Sequence, residues 1–140
     1  MALTIRRADY YYTGTRDRPG AALDLLSRLA EVGVSLLAFN AIPVGPERAQ
    51  ITIFPEDPGR LVGYAQSAGL VLDGPYPAIV VQGDDRLGAL AAIHSRLADS
   101  RVNVFESQGV TDGRGGFGYL IHVRAEDVER GVQALQTLGD

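Results

Sequence analysis

The sequence repeats itself at a constant offset of 68 residues. The segment Asp17-Arg18-Pro19-Gly20-Ala21 recurs as Asp85-Arg86-Leu87-Gly88-Ala89, and Ser27-Arg28-Leu29-Ala30 recurs as Ser95-Arg96-Leu97-Ala98. Val34 with Val102 and Gly45 with Gly113 keep the same offset without a gap. Matches that stay in phase over this length indicate that one supersecondary unit occurs twice. We therefore predict two units, at residues 1–74 and 75–140.

The composition excludes several classes of function. The chain has no cysteine and no lysine, which excludes thiolate nucleophiles, cysteine metal sites and Schiff-base chemistry. Its net charge of −4 gives no support to binding of nucleic acid or of an anionic membrane. No apolar run is long enough to span a bilayer, and residues 1–7 lack the apolar core of a signal peptide. We expect a cytoplasmic protein without a metal or other cofactor.

The first unit is predicted to be βαββαβ. Tyrosines and threonines near the start favour strands, and apolar residues at helical spacing, ended by glycines, favour two helices. In chain order the predicted elements are strands at 3–7 and 9–15, a helix from Ala22 to Ala30, strands at 34–44 and 50–54, a helix opened by Pro58-Gly59 and stopped at Gly69, and a strand at 70–72. The breaker-rich segment Asp73-Gly74-Pro75-Tyr76-Pro77 is predicted to be a linker.

The second unit is predicted to follow the same course. Its elements are a strand at 78–81, a helix at 87–98, a strand at 102–111, a hairpin turn at 112–116, a strand at 117–123 and a helix at 126–138. No fourth strand follows, so the strand at 78–81 would have an open edge, and open apolar edges promote association. We expect residues 3–7 or a partner subunit to cover that edge. Exposed sheet edges also predict a homodimer.

Three other features have structural explanations. Gly113-Arg114-Gly115-Gly116-Phe117-Gly118 matches the dinucleotide pattern G-x-G-x-x-G, but a strand follows it where a helix is required, which favours a glycine-rich hairpin. His94 and His122 form no motif, and His94 falls on the apolar stripe of its helix, which favours a partly buried, hydrogen-bonded histidine. Asp84-Asp85 is interpreted as a solvated helix cap.

The segment Asp17-Arg18-Pro19-Gly20 is predicted to join a strand to a helix. The first amides of a helix have no partners within the helix, and they present N–H donors and the positive end of the helix dipole to an anion. A ligand carboxylate would therefore bind the backbone N–H groups near Gly20 and Ala21. The alternative is that Asp17 caps the helix and the loop has no further role.

These units resemble tandem ACT domains over about residues 9–139. The resemblance depends on the two βαββαβ units, on the loop before the first helix and on the Val102-Asn103-Val104 step. It implies ferredoxin-like α+β units with antiparallel sheets, the second unit lacking its own C-terminal strand. It also implies regulatory modules that bind amino acids or similar effectors where two such domains meet.

The resemblance implies a set of ligand-binding residues. They come from the strand-to-helix loop and from the start of a neighbouring second strand: Asp17, Arg18, Pro19, Gly20, Ala21, Asn103, Val104 and Phe105. The Asn103 side-chain oxygen would accept a hydrogen bond from the ligand ammonium group. The equivalent site at Asp85 to Gly88 departs from the pattern, because Leu87 replaces the proline and Ser35 replaces the asparagine.

The sequence thus predicts a regulatory or sensor protein that binds a small ligand, with an amino acid as the expected class, and that has no catalytic activity. One alternative is an interaction module that binds no ligand. Another is a small enzyme of ferredoxin-like fold that uses His94 or His122.

Overall fold

The computed structural model describes residues 2–138. Within them the chain forms ten regular elements: β1 (Leu3–Arg16), α1 (Ala21–Glu31), β2 (Leu36–Gly45), β3 (Arg48–Pro55), α2 (Pro58–Ala68), β4 (Asp73–Asp84), α3 (Ala89–Asp99), β5 (Glu106–Thr111), β6 (Gly116–His122) and α4 (Val128–Gln136). A single 3-10 turn, Ala125–Asp127, precedes α4. None of the helices in this part of the chain has the length and hydropathy needed to cross a bilayer.

The chain divides into two compact units. The first unit is Asp9–Tyr76, and the second combines Met1–Ala8 with Pro77–Asp140. The sequence prediction divided the chain after residue 74 and assigned residues 1–8 to the first unit. Strand pairs β1–β3, β2–β3, β4–β6 and β5–β6 are all antiparallel. The α+β class with ferredoxin-like units is therefore confirmed.

Two strands contribute to both units. In the first unit the strand order is β2-β3-β1 followed by the start of β4, and in the second it is the start of β1 followed by β4-β6-β5. A Cβ atom placed on Gly83 would lie 2.5 Å from the Ala2 carbonyl oxygen, so the N-terminal segment lies directly against β4. The N-terminal residues cover the edge that the sequence predicted to be open. No strand follows α4 within residues 2–138.

Each unit has its own apolar core. In the first, Tyr11, Ile51 and Ile53 of the strands pack with Leu29 and Leu61 of the helices. In the second, twelve buried residues form the core, and Leu3 and Ile5 pack against it from the N-terminal segment. Since alternate residues of a strand point to opposite faces, Tyr10 and Tyr12 lie on the face away from α1 and α2. They belong to an aromatic cluster with Phe54 and Tyr76, with ring centroids 5.0–5.6 Å apart.

Several predicted elements differ from the structure, and the first is the pair of strands predicted at 3–7 and 9–15, which form one continuous strand, β1. Residues 70–72 form no strand. The Leu70 N–H donates to the Ala65 carbonyl at the end of α2, and the Val71 carbonyl accepts a hydrogen bond from the Thr13 hydroxyl. The predicted linker at 73–77 is the start of β4. Its prolines precede Ala78, the first residue of β4 that pairs with β6, and proline is tolerated where a strand edge is not paired.

The strand predicted at 102–111 begins only at Glu106. Glu106 pairs with His122, the last residue of β6, so residues 102–105 have no β6 residue to pair with in register.

Candidate functional site

The two loops that precede α1 and α3 have the same backbone geometry. Gly20 and Gly88 are the helix N-caps, both left-handed, with φ of 85° and 84°. Equivalent hydrogen bonds occur 68 residues apart: Ala21 N–H to Arg18 and Ala89 N–H to Arg86, Asp24 N–H to Gly20 and Ala92 N–H to Gly88. The loops are also anchored alike, since the Asp17 N–H donates to the Glu47 carbonyl at 2.9 Å and the Asp85 N–H donates to the Gly115 carbonyl at 2.8 Å.

Neither loop uses an aspartate as its cap. The interpretation of Asp17 as a cap of α1 is wrong, and so is that of Asp84-Asp85 as a cap of α3, because both helices begin at a glycine without a side-chain cap. Pro19 likewise lies before the N-cap and not in the first turn. By contrast, Asp57 caps α2 and accepts a hydrogen bond from the Arg60 N–H.

The start of α1 offers backbone donors, though not all of the predicted ones. The Ala21 N–H already donates to the Arg18 carbonyl at 3.3 Å. Within residues 2–138 no acceptor is recorded for the N–H groups of Ala22 and Leu23, which are the next two along the helix. An anion at this helix start would therefore bind Ala22 and Leu23 in place of Ala21.

A cleft of about 330 Å³ opens beside the first loop. Of the predicted site residues, Arg18 and Ala21 line it, and Asp17, Pro19 and Gly20 do not. Asp24 and Arg28 line it as well, and the sequence analysis missed them. Their i,i+4 spacing on the first turns of α1 is the signal that could have found them. Arg18 and Asp24 are exposed and 3.9 Å apart, which makes a weak ion pair.

The second loop lines a cleft of about 390 Å³, formed with the end of β5. All five loop residues, 85–89, contribute to it, together with Gly109–Thr111 and Phe117. Leu87, Leu90 and Val110 are exposed to 108%, 42% and 74%. This cleft is therefore more apolar than the first, as expected from leucine in the position where the first loop has proline.

The predicted segment Asn103-Val104-Phe105 lies just before β5. Val104 packs against the core of the second unit, whereas Asn103 and Phe105 are exposed. The Phe105 N–H donates to the His122 carbonyl at 3.1 Å, which fixes the segment beside the end of β6. Asn103 belongs to the second unit and the 17–21 loop to the first, so their joint use in one site remains a prediction.

The two histidines do not converge. His94 Nε2 lies 2.6 Å from the Tyr119 hydroxyl, which donates to the Ser107 hydroxyl, and this confirms a partly buried, hydrogen-bonded His94. His122 lies on the opposite face of β6 from Tyr119, with Nε2 3.3 Å from a Glu106 carboxylate oxygen. Burial lowers the pKa of His122, and Glu106 opposes that shift. Within residues 2–138 no three histidine or acidic side chains are grouped so as to hold a metal ion.

The glycine-rich segment after β5 is a hairpin turn, as predicted. The Asp112 carboxylate accepts hydrogen bonds from the backbone N–H groups of Arg114, at 2.6 Å, and Gly116, at 3.0 Å. These bonds lower the pKa of Asp112. The aspartate fixes the turn, and β6 follows it directly.

This fold is that of ACT-type regulatory domains, and the predicted resemblance is confirmed at the level of the fold. No protein-family model matches the sequence, and no curated protein does. Among solved structures, protein BT0572 from Bacteroides thetaiotaomicron superposes with a TM-score of 0.80 at 12% identity, over 96% of this chain and 90% of that chain.

Two regulatory subunits of aspartate kinase are similar as well. The ligand-free form from Thermus thermophilus gives a TM-score of 0.69 at 16% identity, over 100% of this chain and 98% of that chain. The subunit from Thermus flavus gives 0.60 at 17% identity, with the same coverage. At these identities the likeness concerns the fold.

Proposed function

We propose that this protein is a non-catalytic regulatory or sensor protein that binds a small effector, with an amino acid as the ligand class. The observation that carries the proposal is the start of α1. There, a left-handed glycine leaves the N–H groups of Ala22 and Leu23 without an acceptor in the described chain, beside a cleft lined by Arg18 and Arg28. Backbone donors, the helix dipole and the Arg28 guanidinium favour a ligand carboxylate, whereas Arg18 pairs weakly with Asp24 in the same cleft.

The proposed site keeps the residues predicted from the sequence. The loop Asp17-Arg18-Pro19-Gly20-Ala21 leads into the helix start that binds the carboxylate, with Arg18 and Ala21 lining the cleft, and Asn103-Val104-Phe105 supplies the acceptor for the ammonium group. The proposal does not depend on which copy of the chain provides the second segment. The likeness to regulatory subunits of aspartate kinase supports an allosteric role, in which the effector binds one assembly state more tightly than another.

A homodimer is part of the proposal. Strands β2 and β5 end the strand order of their units, and every residue of β5 is exposed. Ile42 and Val44 of β2 are exposed to 45% and 51%. Unpaired backbone groups and apolar side chains on a strand edge favour pairing with another chain.

The test is a thermal-unfolding screen of the purified protein against the common amino acids at millimolar concentration. A ligand present at a hundred times its Kd stabilises by about 2.7 kcal/mol, which raises the Tm by several degrees. The proposal expects a selective increase with one amino acid or a small group of them. If none raises the Tm, the effector is not an amino acid of this panel and the proposal fails in its stated form.

An interaction module is the second candidate, and the cleft at the second loop favours it. Leu87, Leu90 and Val110 form an exposed apolar rim around a cleft that offers few polar groups. Such surfaces bind partner proteins more readily than amino acids. An enzyme is less favoured, because His94 contacts Tyr119 on one face of β6 and His122 lies on the opposite face.

A further inference from the structure

A second cleft of the first unit, of about 560 Å³, lies at the end of β1 and shares Thr13, Gly14, Gly69 and Leu70 with the cleft beside the first loop. Its lining includes Tyr12, Gly14, Arg48 and Asp73, and none of residues 17–21 contributes to it. The Thr13 hydroxyl donates to the Val71 carbonyl at 2.9 Å and so holds the 69–72 segment as one wall. A volume of this size accommodates a small metabolite.

Arg48 supplies the positive charge of this cleft. An added Cβ on Gly14 would lie 3.2 Å from its Nη2 atom, so the guanidinium extends across the bare backbone of that glycine. Arg48 is directly opposite Arg16 in the β1–β3 register, and like charges in this relation repel. Neither guanidinium pairs with a carboxylate anywhere in the described chain. A bound anion would relieve that repulsion.

Asp73 supplies the negative charge. Its Oδ1 atom accepts a hydrogen bond from the Tyr76 hydroxyl at 2.6 Å, which orients the carboxylate and leaves Oδ2 available to a ligand donor. The Tyr76 ring lies against Tyr12, with centroids 5.6 Å apart, so an aromatic wall supports the acid. Arg48 and Asp73 line the same cleft without forming an ion pair with each other, and the space between them is open to a ligand.

We infer that this cleft binds a small zwitterion of the α-amino acid class, separately from the helix-start site. The Arg48 guanidinium receives the ligand carboxylate in a two-point contact, and the Asp73 carboxylate accepts from the ligand ammonium group. Gly14 forms the floor and Tyr12 the apolar wall. A ligand with only one of the two charges makes only one of these contacts.

The experiment is an NMR titration of the full chain that follows the backbone amides of Ala49 and Val71, which line this cleft and not the neighbouring one, and of Gly20 and Ala22, at the helix start. The probes are the common amino acids. Two analogues of the amino acid that binds tightest are then titrated: the matching acid, which lacks the amino group, and the matching amine, which lacks the carboxylate. We expect saturable shifts at Ala49 and Val71, with at least tenfold weaker binding of both single-charge analogues.

Three variants test which charged side chain binds which group of the ligand. Arg48→Gln should weaken the amino acid and the matching acid at least tenfold, and Asp73→Asn should weaken the amino acid and the matching amine. Arg60→Gln removes the same charge from α2, outside the lining of either cleft, and should leave the titration at Ala49 unchanged. No saturable shift at Ala49 with any probe, or unchanged affinity in Arg48→Gln, overturns the inference. Shifts confined to Gly20 and Ala22 overturn this site and leave the proposed function standing.

Discussion

Gly20 and Gly88, 68 residues apart, occupy the same position in their units: each is the left-handed N-cap of a helix, with φ of 85° and 84°. A Cβ at either position would meet no atom within 4 Å. Space is therefore available at both, and the backbone conformation alone favours glycine.

Alanine at either position should cost about 1 kcal/mol of folding free energy, because a side chain with a Cβ is strained in the left-handed region. Urea denaturation of Gly20→Ala and Gly88→Ala should give losses within a few tenths of a kcal/mol of each other. Gly20→Asn should lose less, because asparagine tolerates this conformation. If both alanine variants are as stable as the wild type, the left-handed caps are not present in solution.

Two helical glycines should respond to alanine in opposite directions. In α4, a Cβ on Gly131 would lie 2.7 Å from Ile79 Cδ1, so Gly131→Ala should destabilise by about 1–3 kcal/mol through overpacking. In α2, Gly63 is exposed with no atom within 4 Å of a Cβ, and Gly63→Ala should stabilise by about 1 kcal/mol. Chemical denaturation measures both effects.

A double variant checks the cause at Gly131. Ile79→Val removes the methyl group that the new Cβ would meet, so Gly131→Ala should cost less in that background than in the wild type. Strict additivity of the two changes would show that the contact with Ile79 is not the source of the cost.

Arg130 stabilises the junction between α3 and α4. Its Nε atom donates to the Ser100 carbonyl at 2.8 Å, and its Nη2 atom donates to Arg101 at 3.1 Å and to Asp127 at 2.7 Å. Arg130→Gln should lower the free energy of unfolding by about 1–2 kcal/mol, because two backbone carbonyls and a buried carboxylate lose a charged partner. Arg6→Gln removes an exposed charge and should change stability by less than about 0.5 kcal/mol. Equal losses of unfolding free energy in Arg130→Gln and Arg6→Gln would contradict this role of Arg130.

Acid should destabilise the protein through His122. Burial lowers the His122 pKa in the folded state below the ordinary value of 6.5, so the unfolded chain binds the proton more readily. The resulting stability is fully present above pH 6.5 and is lost as the pH falls towards the lowered folded pKa. Between pH 7.5 and 5.0 the wild type should lose more stability than His122→Gln in urea denaturation. Identical losses would show that His122 titrates normally.

Much of the fold follows from local sequence signals. Apolar spacing and glycine stops located α1 and α2 to within a residue at each end, and the 68-residue offset identified two loops that have the same geometry. The helical spacing of Ala22, Leu23, Leu26, Leu29 and Ala30 predicts a buried stripe on α1, but Leu23 is 65% exposed, whereas Leu25 packs against the core. Apolar spacing in a sequence therefore locates the buried face of a helix only approximately.

The errors concern contacts that are distant in sequence. Prolines and glycine at 73–77 have the composition of a linker, but the partner strand β1, some sixty residues earlier, orders them as the start of β4. The clefts could not be predicted for the same reason. The first cleft joins Arg18 to Tyr64 and Leu70, and the larger one joins Tyr12 to Arg48 and Asp73. From the sequence alone, only those site residues that lie together in one short loop could be identified.

The most direct test of ligand binding at the helix start compares Gly20→Asp with Gly20→Asn by titration calorimetry, using the amino acid that raises the Tm most. Both side chains tolerate the left-handed conformation, but only aspartate repels a ligand carboxylate. We predict at least tenfold weaker binding for Gly20→Asp than for Gly20→Asn, with wild-type affinity retained in Gly88→Asp. Equal affinity in the two Gly20 variants and the wild type would contradict a carboxylate site at this loop.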